Sequence, residues 1–565
     1  MNPFEHLIEP ILAAFPGLEP GDIAFNPAPK PALGDVAIPC FALARKLKMP
    51  PPKLAAEVCR LVNFGPDVLA VKAAGPYLNL KLDRAGFARG IVGAILADGA
   101  RFGSNRSGLG RRVVIEHTSI NPNASPHVGR ARNAMIGDSI SRLFRFEGHE
   151  VEVHYYVNDM GRQIGLLVLI ADELEDLAFE EVLDAYVKAN ARAKADPGFA
   201  EQGYALLASM EDGEPEVQEK FRAVTDLCLH GQLEVLKCLG AHYDVFDRES
   251  TYVRDPRLEG ILDALRQRQA LFTDDEERLV VDLAKLGHAQ AEGRFFVLMR
   301  ANGSSMYGYR DLAYSLDKEA LRADINLMVL GEDHKLYAQQ LALILDAAGH
   351  AAPEPIYYAY ILLKEGKMST RQGKVVLLSD FLDQAAALAA ERVAEQCREL
   401  PPREQQTIAR QVAVAAIRFA VLRVNPNKNV TFDMEANLSF QGDTGPYIQY
   451  SCARIHSILR KYGRAVPPAP AHPFPVDSDA EWALLTKLAG FPGTVAASLE
   501  QRTCAPIAVY ALEVARLFTT FYHDCPVLAA DTEAQVEARA QVCQATLQTL
   551  RNALGILGIE APERM

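Results

Sequence analysis

Two short stretches carry residue types suited to handling an anion. The first, NPNASPHVGRARNAMIGD (Asn121 to Asp138), follows the apolar run VVIE and joins a Pro-bounded loop, a His-x-Gly and a helix-like pattern. A helix that starts just after a strand presents free backbone amides and the positive end of its dipole, which attract phosphate. Gly129 has no side chain, so a base or ribose can lie against the backbone there. His127 can donate a hydrogen bond to an oxygen on which negative charge builds. The second stretch, KEGKMSTRQGKVV (364–376), sets Lys364, Lys367, Arg371 and Lys374 among glycines. A cationic loop of this kind suits a leaving pyrophosphate at its most charged point. Alone, either stretch reads more readily as an ordinary histidine or an exposed basic turn. Two such loops about 240 residues apart, each following a strand, point to one site.

The elements around them must hold the two loops together. From Val113 the pattern is strand, loop, helix, strand: VVIEHTS, then Val128, Ile136, Ile140 and Leu143 or Phe144 at helical spacing with Gly148 at the end, then VEVHYYV. A parallel α/β sheet is the natural product. The sheet is interrupted by an acidic helical insert near 172–255 and resumes around Phe295. INLMVLG, a helix through YAQQLALILDAAG and a strand IYYAYILL follow. Residues 1–105 read as a small α/β unit containing a helix through FALARKLK and the strand AAGPYLNLKL, with DGARFGSNRSGLGRR as linker. The catalytic unit is expected over 106–385. Beyond it, 386–565 is a run of amphipathic helices with a Pro-rich loop at 467–475.

Bulk properties exclude several classes. At 565 residues the chain exceeds one hydrophobic core. No apolar run is long enough to span a bilayer, and the N-terminus has acids where a signal peptide carries basic residues. Nine scattered cysteines, without a CxxC pair, read as reduced and mostly buried thiols of a cytoplasmic protein, with neither a disulfide framework nor a zinc site. The net charge of -13 argues against a polyanionic partner until it is located: between Asp172 and Lys220 there are fourteen acidic against four basic side chains. The remainder is near neutral and carries small basic clusters such as Arg45-Lys46-Leu47-Lys48.

Taken together, longer stretches resemble a known family. EHTSINPNASPHVGRARNAMIGDSISRLFRFEG followed by YYVNDMGRQIG resembles the first signature of class I aminoacyl-tRNA synthetases in its arginyl version, and GKMSTRQGKVV resembles the second, the KMSKS-type loop. RANGSSMYGYRDLAYSLDK, NLSFQGDTGPYIQYSCARIHSILRK, AAGPYLNLKL and the ending LGILGIEAPERM are similar to further segments of the arginyl enzymes, so the resemblance covers essentially the whole chain. It implies a Rossmann-like, doubly wound parallel-sheet catalytic domain between a small N-terminal α/β domain and an all-α anticodon-binding domain. It implies ATP-dependent activation of L-arginine to arginyl-adenylate and transfer to the 3′ end of tRNA(Arg), by a monomer that takes ATP as its Mg²⁺ complex and holds no metal of its own.

Residue by residue, the resemblance assigns arginine binding to Glu116, Asn121, Tyr307, Asp311 and Gln163. ATP binding falls to His127, Gly129, Arg130, Asp333, His334, Lys367, Met368 and Ser369, with His127, Arg130, Lys367 and Arg371 as the catalytic residues. tRNA contacts are expected at Tyr447, Tyr450 and Tyr522 in the helical domain and at Arg45 and Lys46 in the N-terminal one. A guanidinium asks for carboxylates that match its planar fork and favours an aromatic face, which these residue types supply. Two positions depart from the usual signatures: Arg130 stands where the first commonly ends in His, and Thr370 replaces the second Lys of KMSKS. Arg371, one residue on, is expected to supply the missing charge. These departures keep a synthetase-like protein without aminoacylation as the rival reading.

Overall fold

The computed structural model describes residues 4–123, 125–174, 179–288, 293–364, 376–470 and 472–565. Strands β1 (Asn26–Pro27), β2 (Val36–Pro39), β3 (Val68–Ala74) and β4 (Tyr77–Leu82) form an antiparallel N-terminal sheet in the order β1-β2-β4-β3. AAGPYLNLKL, expected as one strand, is the end of β3, a turn and β4. Gly75, at φ 58°, supplies the left-handed turn conformation, and Pro76 follows it. The helix Arg84–Asp98 leaves this unit and sends Ala88, Val92 and Ile95 into the core of the C-terminal helices.

The expected linker is a docked segment. Glu147, buried, accepts from Asn105 N at 3.0 Å, Asn105 Nδ2 at 3.1 Å and Ser107 Oγ at 2.6 Å. A Cβ on Gly108 would lie 1.9 Å from the His149 ring. Its small residues therefore serve close approach rather than slack.

The later strands are β5 (Arg112–Glu116), β6 (Glu150–Val157), β7 (Val245–Arg248), β8 (Leu271–Thr273), β9 (Leu279–Asp282), β10 (Phe295–Met299), β11 (Ile325–Gly331), β12 (Glu354–Tyr358), β13 (Ile361–Leu363) and β14 (Val430–Phe432). Five of them make an all-parallel sheet in the order β12-β11-β5-β6-β7. The chain winds outward from β5 to β7, then crosses to β11 on the other side of β5. A topological switch point thus lies between β5 and β11, the place where doubly wound sheets bind ligands.

Two expectations are corrected here. The sheet resumes at β7, not at Phe295, because β10 pairs antiparallel with β9 in a separate three-stranded sheet. IYYAYILL is split, since β13 leaves the main sheet to pair with β14. The acidic insert folds as helices Phe179–Ala195, Pro197–Glu211 and Pro215–Cys238 with its own apolar cluster around Leu166, Phe199, Phe221 and Cys228.

The helices that position the site are α1 (Val128–Phe146), α2 (Tyr307–Ala320) and α3 (Lys335–Ala347). The C-terminal unit is built on α4 (Pro402–Leu422), α5 (Gly445–Tyr462), α6 (Ala505–Asp524) and α7 (Glu533–Ile556). Among the described residues no helix is long and apolar enough to cross a membrane. Seven of the nine cysteines are buried.

α1 is buried on almost every side, polar positions included, so its polar groups need partners within the protein. Arg418 of α4, 0 % exposed, donates to Asp138 Oδ2 at 2.6 Å, Ser139 Oγ at 2.9 Å, Leu557 O at 2.6 Å and Leu239 O. Arg142 holds the same Asp138 oxygen at 2.8 Å. One guanidinium thus ties the first-motif helix, the end of the insert and the C-terminal segment together. Arg418→Met is expected to destabilise the protein by about 3–5 kcal/mol, because it leaves the buried Leu239 and Leu557 carbonyls without that donor and takes one of two cations from Asp138. The measurement is a lower urea midpoint in equilibrium unfolding.

Candidate active site

A cavity of about 490 Å³ opens at the carboxyl ends of the parallel strands, at the switch point. Glu116 ends β5, Tyr156 lies near the end of β6, Gly331 ends β11 and Tyr358 ends β12, and all four line it. α2 adds Tyr307, Asp311, Tyr314, Ser315 and Lys318, whose spacing puts them on one helical face. Arg130 from α1, His334 and Tyr337 complete the wall used below.

The charges around α2 pair unequally. Lys318, 2 % exposed, donates to Glu116 Oε2, and its ammonium lies 4.2 Å from the centre of the Tyr314 ring. Arg310 donates through Nε to Glu249 Oε1 at 2.6 Å and through Nη1 to Ser305 O at 2.6 Å and Oγ at 2.9 Å. Among the contacts of the described residues, Asp311 is met by neutral phenols and no cation: Tyr337 donates to its Oδ2, and the Tyr156 hydroxyl also faces it. Three carboxylates therefore face two cations. Burial pushes the Asp311 carboxyl above the usual range, with the Tyr337 hydrogen bond opposing and the Glu116 charge adding to the shift. Burial pushes Glu249 up to about 7, against the pull of Arg310.

The other end is the start of α1. His127 is its N-cap residue, in extended backbone, and no side chain caps the first turn. Of the first three amides, Val128 N is taken by Val376 O and Arg130 N by His127 O, so the positive end of the dipole and the Gly129 amide are what the helix start offers an anion. A Cβ on Gly129 would sit 3.0 Å from the His127 ring, so the glycine lets the imidazole fold back over the helix start. Desolvation, then the Arg130 charge, hold the His127 pKa below its ordinary value, leaving a neutral imidazole at neutral pH. The strand-to-loop turn before it uses Thr118 at φ 65°, a strained conformation for a β-branched residue that costs about 1–3 kcal/mol. Asn133 Oδ1 accepts Thr118 N at 2.9 Å, and the Tyr243 hydroxyl donates to Thr118 Oγ1 at 2.9 Å, which holds the turn.

α1 also holds the chain on both sides of the second basic stretch. Val128 N donates to Val376 O at 3.1 Å and Leu378 N to Pro126 O at 2.7 Å, so the strand-like exit lies against His127. Arg132, fully buried, donates to the carbonyls of Ala359 (2.5 Å), Tyr360 (3.1 Å) and Lys428 (2.7 Å), at the roots of β13 and β14. Lys364 is bound to Asp433 at 2.7 Å. Lys367, Met368, Ser369, Arg371 and Lys374 lie outside the described residues.

The structure brings Glu116, Asn121, Arg130, Tyr307, Asp311 and His334 to one cavity. His127, Gly129, Gln163 and Asp333 are not among its lining residues. Gln163 supports the loop instead, accepting from Asn121 at 3.1 Å and Asn123 at 3.0 Å. Tyr447 is tied to Thr519 at 2.9 Å and packs on the helical core, whereas Tyr450 and Tyr522 both flank the Arg454 guanidinium, at 4.8 and 5.1 Å. Lys46 is held by Asp22 at 2.9 Å and Glu19 at 3.2 Å, which neutralises it, while Arg45 is exposed. Sequence reasoning missed Glu249, Arg310, Lys318 and Tyr337. For Lys318 a signal existed: it stands seven residues after Asp311, on the same helical face.

Known proteins carry the same arrangement of parts. Residues 91–434 match the model of the family described as tRNA synthetases class I (R), catalytic domain, 448–565 match the DALR anticodon binding domain, and 3–82 match the arginyl tRNA synthetase N terminal domain. The arginine–tRNA ligase of Methanothermobacter thermautotrophicus is 36% identical over 97% of this chain and 96% of its own. That of Methanoregula boonei is 35% identical over 93% of each. The arginyl-tRNA synthetase structure from Thermus thermophilus superposes over 99% of both chains with a TM-score of 0.76 at 28% identity. With its catalytic, N-terminal and anticodon-binding parts all matched, the chain belongs to the arginyl-tRNA synthetases of class I.

Proposed function

We propose that the chain is an arginine–tRNA ligase in which the cavity around α2 holds the arginine side chain and the start of α1 holds the phosphates of ATP. The observation that carries the reading is the charge balance: Glu116 and Glu249 each have a resident cation, and Asp311 has none in contact. A guanidinium brought to Asp311 restores neutrality in a place where an unmatched carboxylate is costly. Tyr307, 53 % exposed at the cavity mouth, offers its ring to the same group. Asn121 is assigned to the amino-acid end of arginine, with Gln163 behind it.

ATP enters as its Mg²⁺ complex. An oxygen of the arginine carboxylate attacks the α-phosphorus in line, the bond to pyrophosphate breaks, and arginyl-adenylate forms. A terminal ribose hydroxyl of tRNA(Arg) then attacks the arginyl carbonyl, and AMP leaves. No enzymic nucleophile is required, so the protein's work is positioning and charge neutralisation. His127, Gly129 and Arg130 are assigned to the phosphates together with Lys367, Met368, Ser369 and Arg371, with Asp333 and His334 toward the ribose. Tyr450 and Tyr522, with Tyr447 behind them, are assigned to tRNA, as are Arg45 and, less directly, the acid-bound Lys46.

We keep the division 1–105, 106–385 and 386–565 as tRNA-gripping, catalytic and anticodon-binding units. A monomer fits a chain that supplies every assigned residue itself, and the buried free thiols support a cytoplasmic setting.

Incubation with total tRNA, ATP and each of the twenty amino acids in turn is expected to esterify arginine alone, read as acid-precipitable label. Esterification of none or of another amino acid overturns the reading. Asp311→Asn removes the unmatched charge and is expected to raise the KM for arginine roughly a hundredfold or more, with a smaller change in kcat, as steady-state charging assays would measure. For pH, the sign is set by two carboxyls with raised pKa values. As pH falls through about 7 Glu249 takes up a proton, and Asp311 also titrates above the ordinary Asp range. Negative charge is then lost from the cavity. The profile of kcat/KM for arginine is expected to fall on its acid side, and that of kcat at lower pH, because a bound cation draws the carboxyl pKa values down.

A further inference from the structure

We propose that Tyr337 is a positioning residue for substrate selection: its phenol fixes the plane of the Asp311 carboxylate, so that a planar cationic guanidinium is accepted in preference to its neutral ureido analogue. The proposal rests on Asp311 being the guanidinium's partner. A paired guanidinium and carboxylate must lie nearly coplanar to form two parallel hydrogen bonds. The terminal torsion of an aspartate is broad, so an untethered Asp311 would sample many planes. The cation on Glu116 does not restrain it, since Lys318 spends its bond there. Tyr337, at the third position of α3, donates to Asp311 Oδ2. The remaining lone pairs of the carboxylate stay available for two bonds to a ligand.

Packing fixes the phenol in turn. The Tyr337 ring is stacked on Phe296 of β10, 5.7 Å between centroids and 20° between planes, and lies 5.0 Å from the Tyr307 ring. Phe296 reaches this place because residue 308 is glycine: a Cβ there would come 2.5 Å from its ring. Gly308, Phe296, Tyr337 and Asp311 thus form one chain of contacts running from the start of α2, through β10 and α3, back to α2. A phenol whose own pKa lies well above neutrality keeps its proton throughout the working range and always donates. That bond favours the ionised carboxyl, against the burial that favours the neutral one. The charged and titratable groups facing Asp311 are Glu116 from β5, Tyr156 from β6, Glu249 after β7, Arg310 and Lys318 from its own helix, and Tyr307 and Tyr337. Tyr337→Phe removes that donor by a single-atom change and leaves the Tyr156 phenol, which also faces Asp311, in place.

The experiment is steady-state charging of tRNA(Arg) by the full-length protein, wild type against Tyr337→Phe, Tyr337→Leu and Asp311→Asn, over a range of pH and with citrulline as competitor. Tyr337→Phe keeps the ring stack and loses only the donor. It is expected to raise the KM for arginine about tenfold with kcat within about twofold, the size of one hydrogen bond to a charged group. It is also expected to move the acid limb of kcat/KM to higher pH and to leave the citrulline inhibition constant unchanged, so that the preference for arginine narrows. Tyr337→Leu adds a loss of thermal stability to the same kinetic change. If Tyr337→Phe retains the wild-type KM and acid limb while Asp311→Asn loses arginine binding, the proposal is wrong and the assignment of Asp311 stands. If Asp311→Asn is itself silent, both are wrong.

Discussion

Charge balance inside the switch-point cavity governs what the fold can do. Three carboxylates close to one another in a partly dry space repel, and each needs a cation or must take up a proton. Lys318 and Arg310 meet that need for Glu116 and Glu249 and are immobilised in doing so, one against a tyrosine ring and the other on Ser305. The third carboxylate is left to a neutral donor. The cavity is thereby one positive charge short at one end, while Arg130 and the start of α1 stand at the other. A substrate that is cationic in its side chain and reacts through its carboxylate with a polyphosphate spans that polarity in one direction only.

Holding the two ends in register is the task of α1, and its sequence reflects this. A helix buried on nearly all sides would be expected to be apolar, yet α1 carries Arg132, Asn133, Asp138, Ser139 and Ser141 inward. Three of them reach different parts of the protein. Asn133 fixes the turn at Thr118 and bonds Val329 O of β11 at 3.0 Å, joining the two strands that flank the switch point. Arg132 holds the roots of β13 and β14, and Asp138 meets Arg418 from the helical domain. Buried polar groups of this kind add little net stability, because desolvation offsets their attraction, but a half-satisfied alternative packing is strongly disfavoured. The outcome is a geometry in which the catalytic sheet, the helix start and the helical domain share one rigid reference.

How much of this was legible in the sequence depends on whether a feature is local. The strand-loop-helix at 113–146 could be read because its period changes from two to 3.6 within one stretch and its last turn ends on Gly148. The acidic insert was visible as a run of charge, and it folded around its own apolar cluster. β7 was missed because VFDR is four residues long and half polar, and its strand character comes from pairing with β6 rather than from its own side chains. Phe295–Met299 was assigned to the wrong sheet for a related reason: a short apolar strand does not declare its partner. In the site, resemblance pointed to residues that line the cavity, such as Asp311 and Asn121. It did not point to Lys318, Arg310 or Tyr337, which pair with Glu116, Glu249 and Asp311 respectively. Partnerships between β5 and α2, or α2 and α3, are made across 26 to about 200 residues of sequence and leave no periodic trace.

Charge alone cannot separate arginine from lysine, since either would neutralise Asp311. Lys318 illustrates what an ammonium does in this cavity: it satisfies one oxygen of one carboxylate and rests its remaining surface on an aromatic face. A lysine substrate at Asp311 would offer the same point charge through one bond, with the Tyr337 phenol as the donor left to Oδ2. A planar fork brings two parallel donors at the spacing of the two oxygens, and a further hydrogen bond to a charged group is worth about 1.5–3 kcal/mol. Sites built to hydrogen-bond a particular group reject analogues lacking it by factors far larger than a hydrophobic pocket can reach. Selection in this cavity therefore follows from how firmly the carboxylate plane is held, and in this protein that firmness comes from a phenol locked between aromatic rings.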